Sequence, residues 1–362
     1  MRQIPCQRGD CNGDNRSFRN RGNALPLLGG EGRGEGGHYH QLVAFILATR
    51  FTMNEFELIG RLTKSLPTNS SLVVGPGDDC AVLDLGLPDR LLLFKTDAVV
   101  EGTHFTAATP PEQIGHKALA RCLSDIAAMA GAPNSALITI ALPPNFDVAH
   151  VEKVYAGIAA VARRYDVAIV GGETTVNPER MLISIALLGT VARDKCVLRS
   201  GARAGDAIFV TGELGGSRAG RHLDFEPRLT EARWLADHFL PHAMMDLSDG
   251  LAGDLRHLLH ASQVGAELLA SAIPISRSAR LAAKAEGSAK PPLLAALTDG
   301  EDFELLFTVA SHDAVRLLDA WKQQFPQVKL SCVGKIISGK GLTLRSKEGV
   351  RSLEAHGYTH FA

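Results

Sequence analysis

The chain has 362 residues, of which 45% are hydrophobic and 21% charged, and its formal net charge is −1. A chain of this length and composition can bury a sizeable core and form two domains, whereas a near-neutral charge offers no basic surface for nucleic acid or an anionic membrane. Its apolar runs, such as residues 181–188, are far shorter than the roughly 20 residues of a membrane-spanning helix, so we expect neither a nucleic-acid partner nor a membrane.

The first 52 residues differ in composition from the rest of the chain. They contain 9 Gly, 7 Arg and no Lys, with a low-complexity run at 27–37. Their apolar run at 41–48 lies too far from the start for a signal peptide and is not followed by a small-residue cleavage site. We expect either a disordered tail or translation that begins at Met53, where MNEFELIGRL offers Asn54 as a helix N-cap. We favour the second interpretation.

From Met53 onward, strand and helix patterns alternate. The first half predicts strands at 72–74, 80–85, 91–96, 136–142, 167–171 and 181–191, and helices at 112–130 and 148–165. The second half predicts strands near 206–212, 244–250, 304–309 and 330–345, with a helix through 259 and another at 313–324. These patterns indicate an α+β protein without a short-period repeat. A boundary near 192–205 divides it into an N-terminal domain, 53–195, and a C-terminal domain, 196–362.

The six cysteines, at positions 6, 11, 80, 122, 196 and 332, are scattered without Cys-x-x-Cys spacing. This arrangement predicts neither a zinc site nor a disulfide framework. A reducing, cytoplasmic location agrees best with it.

Two adjacent carboxylates, Asp78 and Asp79, follow a Gly-Pro-Gly turn in VVGPGDDCAVL. Neighbouring carboxylates repel each other, so one of them becomes protonated or a cation lies beside them. The alternative is a solvated hairpin tip, since Gly, Pro and Asp are common turn residues.

Five more carboxylates lie next to or inside hydrophobic segments: Asp97, Asp125, Glu173, Asp246 and Asp249. A single buried carboxylate is explained by an ion pair or a helix cap, and the Asp-Gly at 249–250 fits a cap. Seven such carboxylates with few Lys or Arg in the same motifs favour a hard cation such as Mg²⁺, which commonly accompanies phosphates. The sequence has no G-x-x-x-x-G-K-[ST] and no convincing G-x-G-x-x-G, so we predict neither a Walker nor a Rossmann site. The glycine pair at 171–172 either lets the backbone approach a ligand or forms a turn.

Eight segments, in this order and spacing, resemble the motifs of the bacterial thiamine-monophosphate kinases: GPGDDCAVL, KTDAVVEGTHF, LSDIAAMAG, IVGGETT, LRSGARAGD, DLSDGL, DGEDFELLF and GYTHF. That family belongs to the superfamily of aminoimidazole ribonucleotide synthetase and selenophosphate synthetase. The resemblance covers residues 53–362, and the ordered set is far more specific than any single motif. It implies the two-domain α+β fold of that superfamily, with an N-terminal mixed α/β domain whose sheet is used in dimerisation and a C-terminal α/β domain.

The resemblance also implies an activity: ATP-dependent phosphorylation of thiamine monophosphate to thiamine diphosphate, the last step of thiamine diphosphate biosynthesis, by a homodimer. Because the acceptor is already an ionised phosphate oxygen, no general base is expected. Several Mg²⁺ ions would neutralise the two phosphate chains and hold them in line.

Three groups of residues match the family's site positions. The implied Mg²⁺ ligands are Asp79, Thr96, Asp97, Asp125, Glu173, Asp246 and Asp249. The implied ATP contacts are Tyr155, Gly172, Arg199 and Ser248, and the implied thiamine-phosphate contacts are His104, Glu301 and Tyr358. An arginine forks onto phosphate oxygens, a tyrosine stacks on a flat cationic ring, and a glutamate offsets the thiazolium charge. Without the resemblance, we would interpret Arg199 as an ordinary surface arginine, Tyr358 as a core tyrosine and Glu301 as a strand-edge glutamate.

Two residues depart from the family pattern, which usually has Asp at the position of Glu173 and a small hydroxyl residue at that of Lys95. Glu173 keeps the charge but moves it outward by one methylene, which shifts a metal or makes the contact water-mediated. Lys95 has two options: to ligate through its backbone carbonyl, or to let its ammonium replace part of a metal's charge.

Two other interpretations stay open from the sequence. One is a sister enzyme, although Cys6 and Cys11 lack the lysine-bearing context that selenophosphate synthetase needs, and GEDFELLF and GYTHF do not favour aminoimidazole ribonucleotide synthetase. The other is a nucleotide-binding or scaffold relative that has lost catalysis through the changes at 95 and 173.

Overall fold

The computed structural model describes residues 55–285, 290–354 and 357–358, which belong to one compact unit spanning Met53–Ala362. The expectations for residues 1–52, for a start at Met53 and for the Asn54 cap lie outside these ranges. Within them, no helix combines the length and the apolar character needed to cross a membrane.

The helices of the described ranges are α1 (Glu55–Thr63), α2 (Pro111–Ala128), α3 (Val148–Arg164), α4 (Leu229–His238), α5 (Leu251–Ser262), α6 (Arg277–Ala282), α7 (Pro292–Thr298) and α8 (Ala314–Gln324). Helix α2 begins at a proline, whose missing N–H costs nothing in the first turn. Most of its residues are buried because it packs against both α3 and the first sheet.

The first half of the chain forms a six-stranded mixed sheet in the order β1-β2-β3-β6-β4-β5. The strands are β1 (Leu72–Val74), β2 (Ala81–Leu83), β3 (Arg90–Val100), β4 (Ala132–Leu142), β5 (Ala168–Val176) and β6 (Leu182–Ala192). Buried and half-buried residues alternate along β6, so one face of the sheet packs on the helices. On the other face, which we call the open face, Phe94 and Leu137 are 45% and 47% exposed.

The second half forms a seven-stranded sheet in the order β13-β12-β9-β11-β7-β10-β8. Its strands are β7 (Ala207–Thr211), β8 (Ala243–Asp246), β9 (Gly265–Leu269), β10 (Leu305–Val309), β11 (Leu330–Ile337), β12 (Gly341–Ser346) and β13 (Gly349–Ser352). Strands β7, β10 and β8, the last three in this order, are buried along their whole length. Asp246 is the last residue of β8, which packs against α2 from the first half of the chain.

The predicted α+β fold with two sheets is confirmed. Strand β3 is longer than the predicted 91–96 because it pairs with β6 along its full length. Helix α2 ends at Ala128 because Ala130 takes a left-handed φ of 57° and the Gly131 N–H bonds Ile126 O. The sequence did not predict α4, α6, α7, β9 or β13, and β9 is fixed by non-local pairing with β11 and β12. The domain limits 53–195 and 196–362 stay a prediction.

The glycine pair at 171–172 lies inside β5, which continues to Val176, and not in a turn after a strand that ends at 171. A Cβ at Gly172 would lie 1.8 Å from the carbonyl oxygen of Ile138 on β4. Only glycine therefore fits at 172, whatever it contacts besides the sheet.

Glu304 is a buried charge that holds the second sheet to the loop before α4. It accepts hydrogen bonds from Arg228 Nε and Nη2, both at 2.8 Å, from Arg221 Nη1 at 3.2 Å and from Thr211 Oγ1 at 2.7 Å. Burial of this charge is tolerated because its donors fill both carboxylate oxygens.

We expect Glu304→Ala to lower the free energy of unfolding by about 3–5 kcal/mol, because it leaves the charge of Arg228 buried without its partner. The matched control is Glu267→Ala, which removes a two-pronged pair with the half-exposed Arg345 and should change stability little. Urea unfolding of both variants measures the difference, and similar losses would contradict this account of Glu304.

Candidate active site

Three buried carboxylates from distant parts of the chain meet between the two halves. Asp79 precedes β2, Asp125 lies on α2 and Asp246 ends β8, and one oxygen of each lies within 4.8 Å of the others. We call these three residues the carboxylate cluster. Asp79, Asp125 and Asp246 are only 2%, 6% and 3% exposed, so water screens their mutual repulsion poorly.

Each member of the carboxylate cluster has one donor from a neighbouring element. Asp79 Oδ1 accepts from Arg199 Nη2 at 2.6 Å, and Asp125 Oδ1 accepts from Lys95 Nζ at 2.8 Å. Asp246 Oδ2 accepts from the Ser124 hydroxyl at 2.7 Å. Asp79 Oδ2 is buried and has no hydrogen-bond partner within the described ranges.

The pKa values of the carboxylate cluster reflect this crowding. Burial, and then the charge of Asp79, raise the pKa of Asp246 to about 6. Burial raises the pKa of Asp125 well above its usual range, although Lys95 opposes the shift. A proton or a cation is thus needed to relieve the repulsion. Carboxylate oxygens are the ligands Mg²⁺ prefers, and the unsatisfied Asp79 Oδ2 offers one, so these residues fit a divalent cation.

Asp78 turns away from the carboxylate cluster and accepts the backbone N–H of Arg199, 3.1 Å from its Oδ2. Burial, and then the adjacent Asp79, raise the pKa of Asp78 to about 6. Because Asp79 is buried and Arg199 contacts both carboxylates, the pair is not the solvated hairpin tip that the sequence allowed.

Lys95, Thr96 and Asp97, the three consecutive site candidates on β3, do not all point to the same face of the sheet. Lys95 and Asp97 face α2, where Asp125 binds Lys95 and Arg121 Nε lies 3.1 Å from Asp97 Oδ2. Thr96 faces the open side, and its Oγ1 lies 3.4 Å from Ser184 Oγ. The structure thus brings Lys95 to the carboxylate cluster and leaves Thr96 outside it.

Three further candidates lie on or near the edge strand β5. In register, Glu173 pairs with Thr139, Thr139 with Ser184, and Ser184 with Ala98. Glu173 is therefore exposed on the open face, three strands from β3 and roughly 14 Å away at 4.8 Å per strand. Gly172 precedes it, and the partly exposed Tyr155 lies on α3. The described structure does not place these three in the carboxylate cluster.

A second group of candidates lines a narrow cavity of about 50 Å³, which we call the Glu301 pocket. Its lining residues are Thr103, His104, Arg121, Arg218, Ser248, Asp249, Glu301, Phe303 and Tyr358. All three implied thiamine-phosphate residues thus meet in one pocket, together with two further candidates, Ser248 and Asp249. Arg121 connects this pocket with the Asp97 side of the site.

The buried side chain of Lys117 connects residues that line the Glu301 pocket. Its fully buried ammonium donates to His104 O at 2.7 Å and to Glu301 Oε1 at 2.8 Å, and lies 2.7 Å from His222 Nδ1. Burial lowers the pKa of Lys117 to about 8 although Glu301 opposes the shift. Burial alone would raise the pKa of Glu301, but the hydrogen bond with His222 and the charge of Lys117 outweigh it and lower the pKa to about 2. Glu301 is therefore a fixed negative charge at neutral pH.

The backbone around Glu301 is strained. Glu301 and Phe303 have left-handed φ values of 55° and 50°, which non-glycine residues seldom adopt and which concentrate at functional sites. The Glu301 N–H donates to Ser248 O at 2.7 Å, and the Tyr358 N–H donates to Asp249 O at 2.9 Å. These bonds tie the walls of the pocket to the loop after β8.

The sequence did not single out Arg121, Arg218 or Lys117. Arg121 and Lys117 lie one and two turns before Asp125 on α2, so helical spacing would have placed them on the face of Asp125. Arg218, whose guanidinium carbon lies 4.8 Å from the Tyr358 ring centre, comes from a short 3₁₀ turn and carries no such signal.

Two family models match the chain. The N-terminal domain of AIR synthase related proteins matches residues 77–191, and the C-terminal domain of the same proteins matches residues 203–347. The thiamine-monophosphate kinase of Rhodopirellula baltica is 41% identical over 290 residues, which cover 78% of this chain and 88% of that protein. That of Aquifex aeolicus is 34% identical and covers 85% of this chain and 98% of its own length.

Solved structures of related proteins have the same fold as this chain. The structure described as AaThiL complexed with AMPPCP and TMP superposes with a TM-score of 0.72 at 32% identity, covering 85% of this chain and 97% of that one. The hydrogenase maturation protein HypE of E. coli matches with a TM-score of 0.64 at 22% identity, which shows the shared fold alone. With two family domains in order and relatives above 30% identity over most of its length, the chain belongs to the thiamine-monophosphate kinase family.

Proposed function

We infer that this protein transfers the γ-phosphoryl group of ATP to the phosphate of thiamine monophosphate, giving thiamine diphosphate and ADP. The observation that carries this inference is the pairing of two chemically different sites, the carboxylate cluster and the Glu301 pocket, in a chain of this family. A sister activity has no such support, since the relatives above 30% identity reported above are named thiamine-monophosphate kinases.

The carboxylate cluster is proposed to hold Mg²⁺ through Asp79, Asp125 and Asp246. Bound Mg²⁺ supplies charge neutralisation and alignment for two phosphate groups that otherwise repel each other. Asp97 and Asp249 border the Glu301 pocket or its arginine, and we assign them to the same metal-binding region. Arg199 keeps Asp79 oriented and is proposed to contact the ATP phosphates. Ser248 follows Asp246 by two residues and is proposed to contact ATP.

The Glu301 pocket is proposed to hold thiamine monophosphate. Glu301 offers its fixed negative charge to the thiazolium ring, and Tyr358 offers a ring face for stacking. Arg218 now lies over that face, and a pocket of about 50 Å³ is smaller than the several hundred Å³ typical of ligand sites. We propose that Arg218 moves off Tyr358 when the substrate binds, and that its guanidinium and that of Arg121, which lines the same pocket, bind the substrate phosphate.

The direct test is to incubate the purified protein with ATP, Mg²⁺ and thiamine monophosphate and to detect thiamine diphosphate by chromatography. We expect product from the wild type and a loss of about 100-fold or more in Asp246→Asn, because removing one charge-stabilising group typically costs 10²–10³ in rate. Part of the activity should return at high Mg²⁺.

The control is Asp313→Asn, which removes an exposed pair with Arg316 and should keep wild-type rate and Mg²⁺ dependence. No product from the wild type would overturn the proposed function. A wild-type Mg²⁺ curve in Asp246→Asn would remove Asp246 from the metal site.

Glu173 is proposed to serve the metal region from the open face, as its match to the family position implies. We expect Glu173→Asp to retain substantial activity, because the charge is kept, and Glu173→Ala to need more Mg²⁺ and ATP. Titration of activity against Mg²⁺ measures both, with Glu179→Ala as an exposed-carboxylate control. Superimposable curves for Glu173→Ala and wild type would make Glu173 a solvated edge residue.

A homodimer formed through the open face is also proposed. Large apolar side chains such as Phe94 and Leu137 are almost half exposed there, and contiguous exposed apolar residues mark interaction surfaces. The separation of Glu173 from the carboxylate cluster within one chain agrees with a site that a second copy completes. The enzyme is proposed to work in the cytoplasm, where ATP is available.

Light scattering should therefore give a mass near twice the chain mass of 38.6 kDa. Leu137→Lys places a charge in the open face and should shift the protein towards the monomer. Val315→Lys, at a more exposed apolar residue on α8, should not. A wild-type monomer at micromolar concentration, or a dimer unaffected by Leu137→Lys, would contradict this interface.

A further inference from the structure

Lys95 brings a permanent positive charge to the carboxylate cluster. Its ammonium nitrogen lies 2.8 Å from Asp125 Oδ1, and the two side chains are 22% and 9% exposed. Lys95 lies two residues before Asp97 on the face of β3 that α2 covers. The ammonium is thus held between a strand and a helix, and does not extend into solvent as most lysines do.

The remaining contacts of the carboxylate cluster show where charge is still uncompensated. When ionised, its three members carry three negative charges, and two cations, Lys95 and Arg199, lie within hydrogen-bond distance of Asp125 and Asp79. Asp246 receives its bond from a neutral hydroxyl, and Asp79 Oδ2 has no partner in the described part of the chain. The charge without a cation therefore lies at Asp246, and the carboxylate oxygen without a donor is Asp79 Oδ2, whereas Asp125 already has a cation at its Oδ1.

We propose that the Lys95 ammonium takes the place of one divalent ion at Asp125, so that this protein binds one ion fewer than it would with a neutral side chain at position 95. This inference rests on the proposed function, in which the carboxylate cluster holds Mg²⁺. An ammonium donates up to three hydrogen bonds to carboxylate oxygens and stays with the chain at any Mg²⁺ concentration. A further divalent ion at Asp125 Oδ1, the oxygen that Lys95 contacts, would be repelled by the ammonium at close range. The ion that we propose between Asp79, Asp246 and the other oxygen of Asp125 shares no oxygen with the ammonium.

The proposal predicts how many divalent ions each chain binds, and this number can be measured without measuring turnover. Equilibrium dialysis against Mn²⁺, without ATP or thiamine monophosphate, measures the number of ions per chain. We expect Lys95→Ala to bind one ion more than the wild type. Lys335→Ala is the matched control: it removes the same charge from an exposed strand lysine 3.8 Å from Glu267, and should bind the wild-type number.

The double variant Lys95→Ala/Asp125→Asn locates the added ion, and we expect it to return to the wild-type number. Lys95→Met keeps the aliphatic stem and removes only the ammonium, so it replaces Lys95→Ala if that variant fails to fold by circular dichroism. It should show the same gain of one ion.

A folded variant without the ammonium that binds the wild-type number of ions overturns the proposal, as does a gain that persists with Asp125→Asn. The kinase assay is read separately. If Lys95→Ala gains one ion but the wild type makes no thiamine diphosphate, the role of Lys95 is supported and the proposed function is contradicted. If the wild type makes thiamine diphosphate but Lys95→Ala gains no ion, the proposed function is supported and the role of Lys95 is contradicted.

Discussion

The mutual repulsion of three buried carboxylates is the constraint around which the described structure is arranged. Asp79, Asp125 and Asp246 come from a turn, a helix and a strand end, and their oxygens lie within 4.8 Å of each other. Burial of like charges at this distance opposes folding unless cations or protons compensate them. Arg199 and Lys95 supply part of that compensation from the chain itself. The remaining negative charge is what the proposed divalent ion would neutralise, so the cost to stability and the proposed capacity to bind metal have the same origin.

In the Glu301 pocket, a buried lysine compensates the charge of the buried carboxylate. Lys117 on α2 binds a backbone carbonyl from the first half of the chain and the Glu301 carboxylate from the second. A single helix therefore carries residues for both sites: Lys117 at the pocket, Arg121 between the sites and Asp125 in the carboxylate cluster. Under the proposed function, this spacing at four-residue intervals would set the distance between the donor and acceptor phosphates through one rigid element, as in-line transfer requires.

Charged residues with different roles also differ in how they are held. Glu304 is saturated by two arginines and a hydroxyl, so its charge serves the fold. Asp79 retains a buried oxygen with no partner among the described residues, so its charge is available to a ligand. Two buried carboxylates are thus distinguished, one as structural and one as available to a ligand, by the hydrogen bonds that their oxygens accept.

The sequence by itself determined the alternation of strands and helices and the set of motifs that identifies the family, because hydrophobic periodicity and local residue order are properties of the linear chain. It also pointed to Asp79, Asp125 and Asp246, since carboxylates in apolar segments need a partner. Only the tertiary structure decided that these three residues meet, and that Glu173 lies on the open face three strands from β3. Strand order and register are set by non-local pairing, which the sequence does not reveal. It likewise placed the Lys95 ammonium against Asp125, which it reaches only because α2 packs across β3.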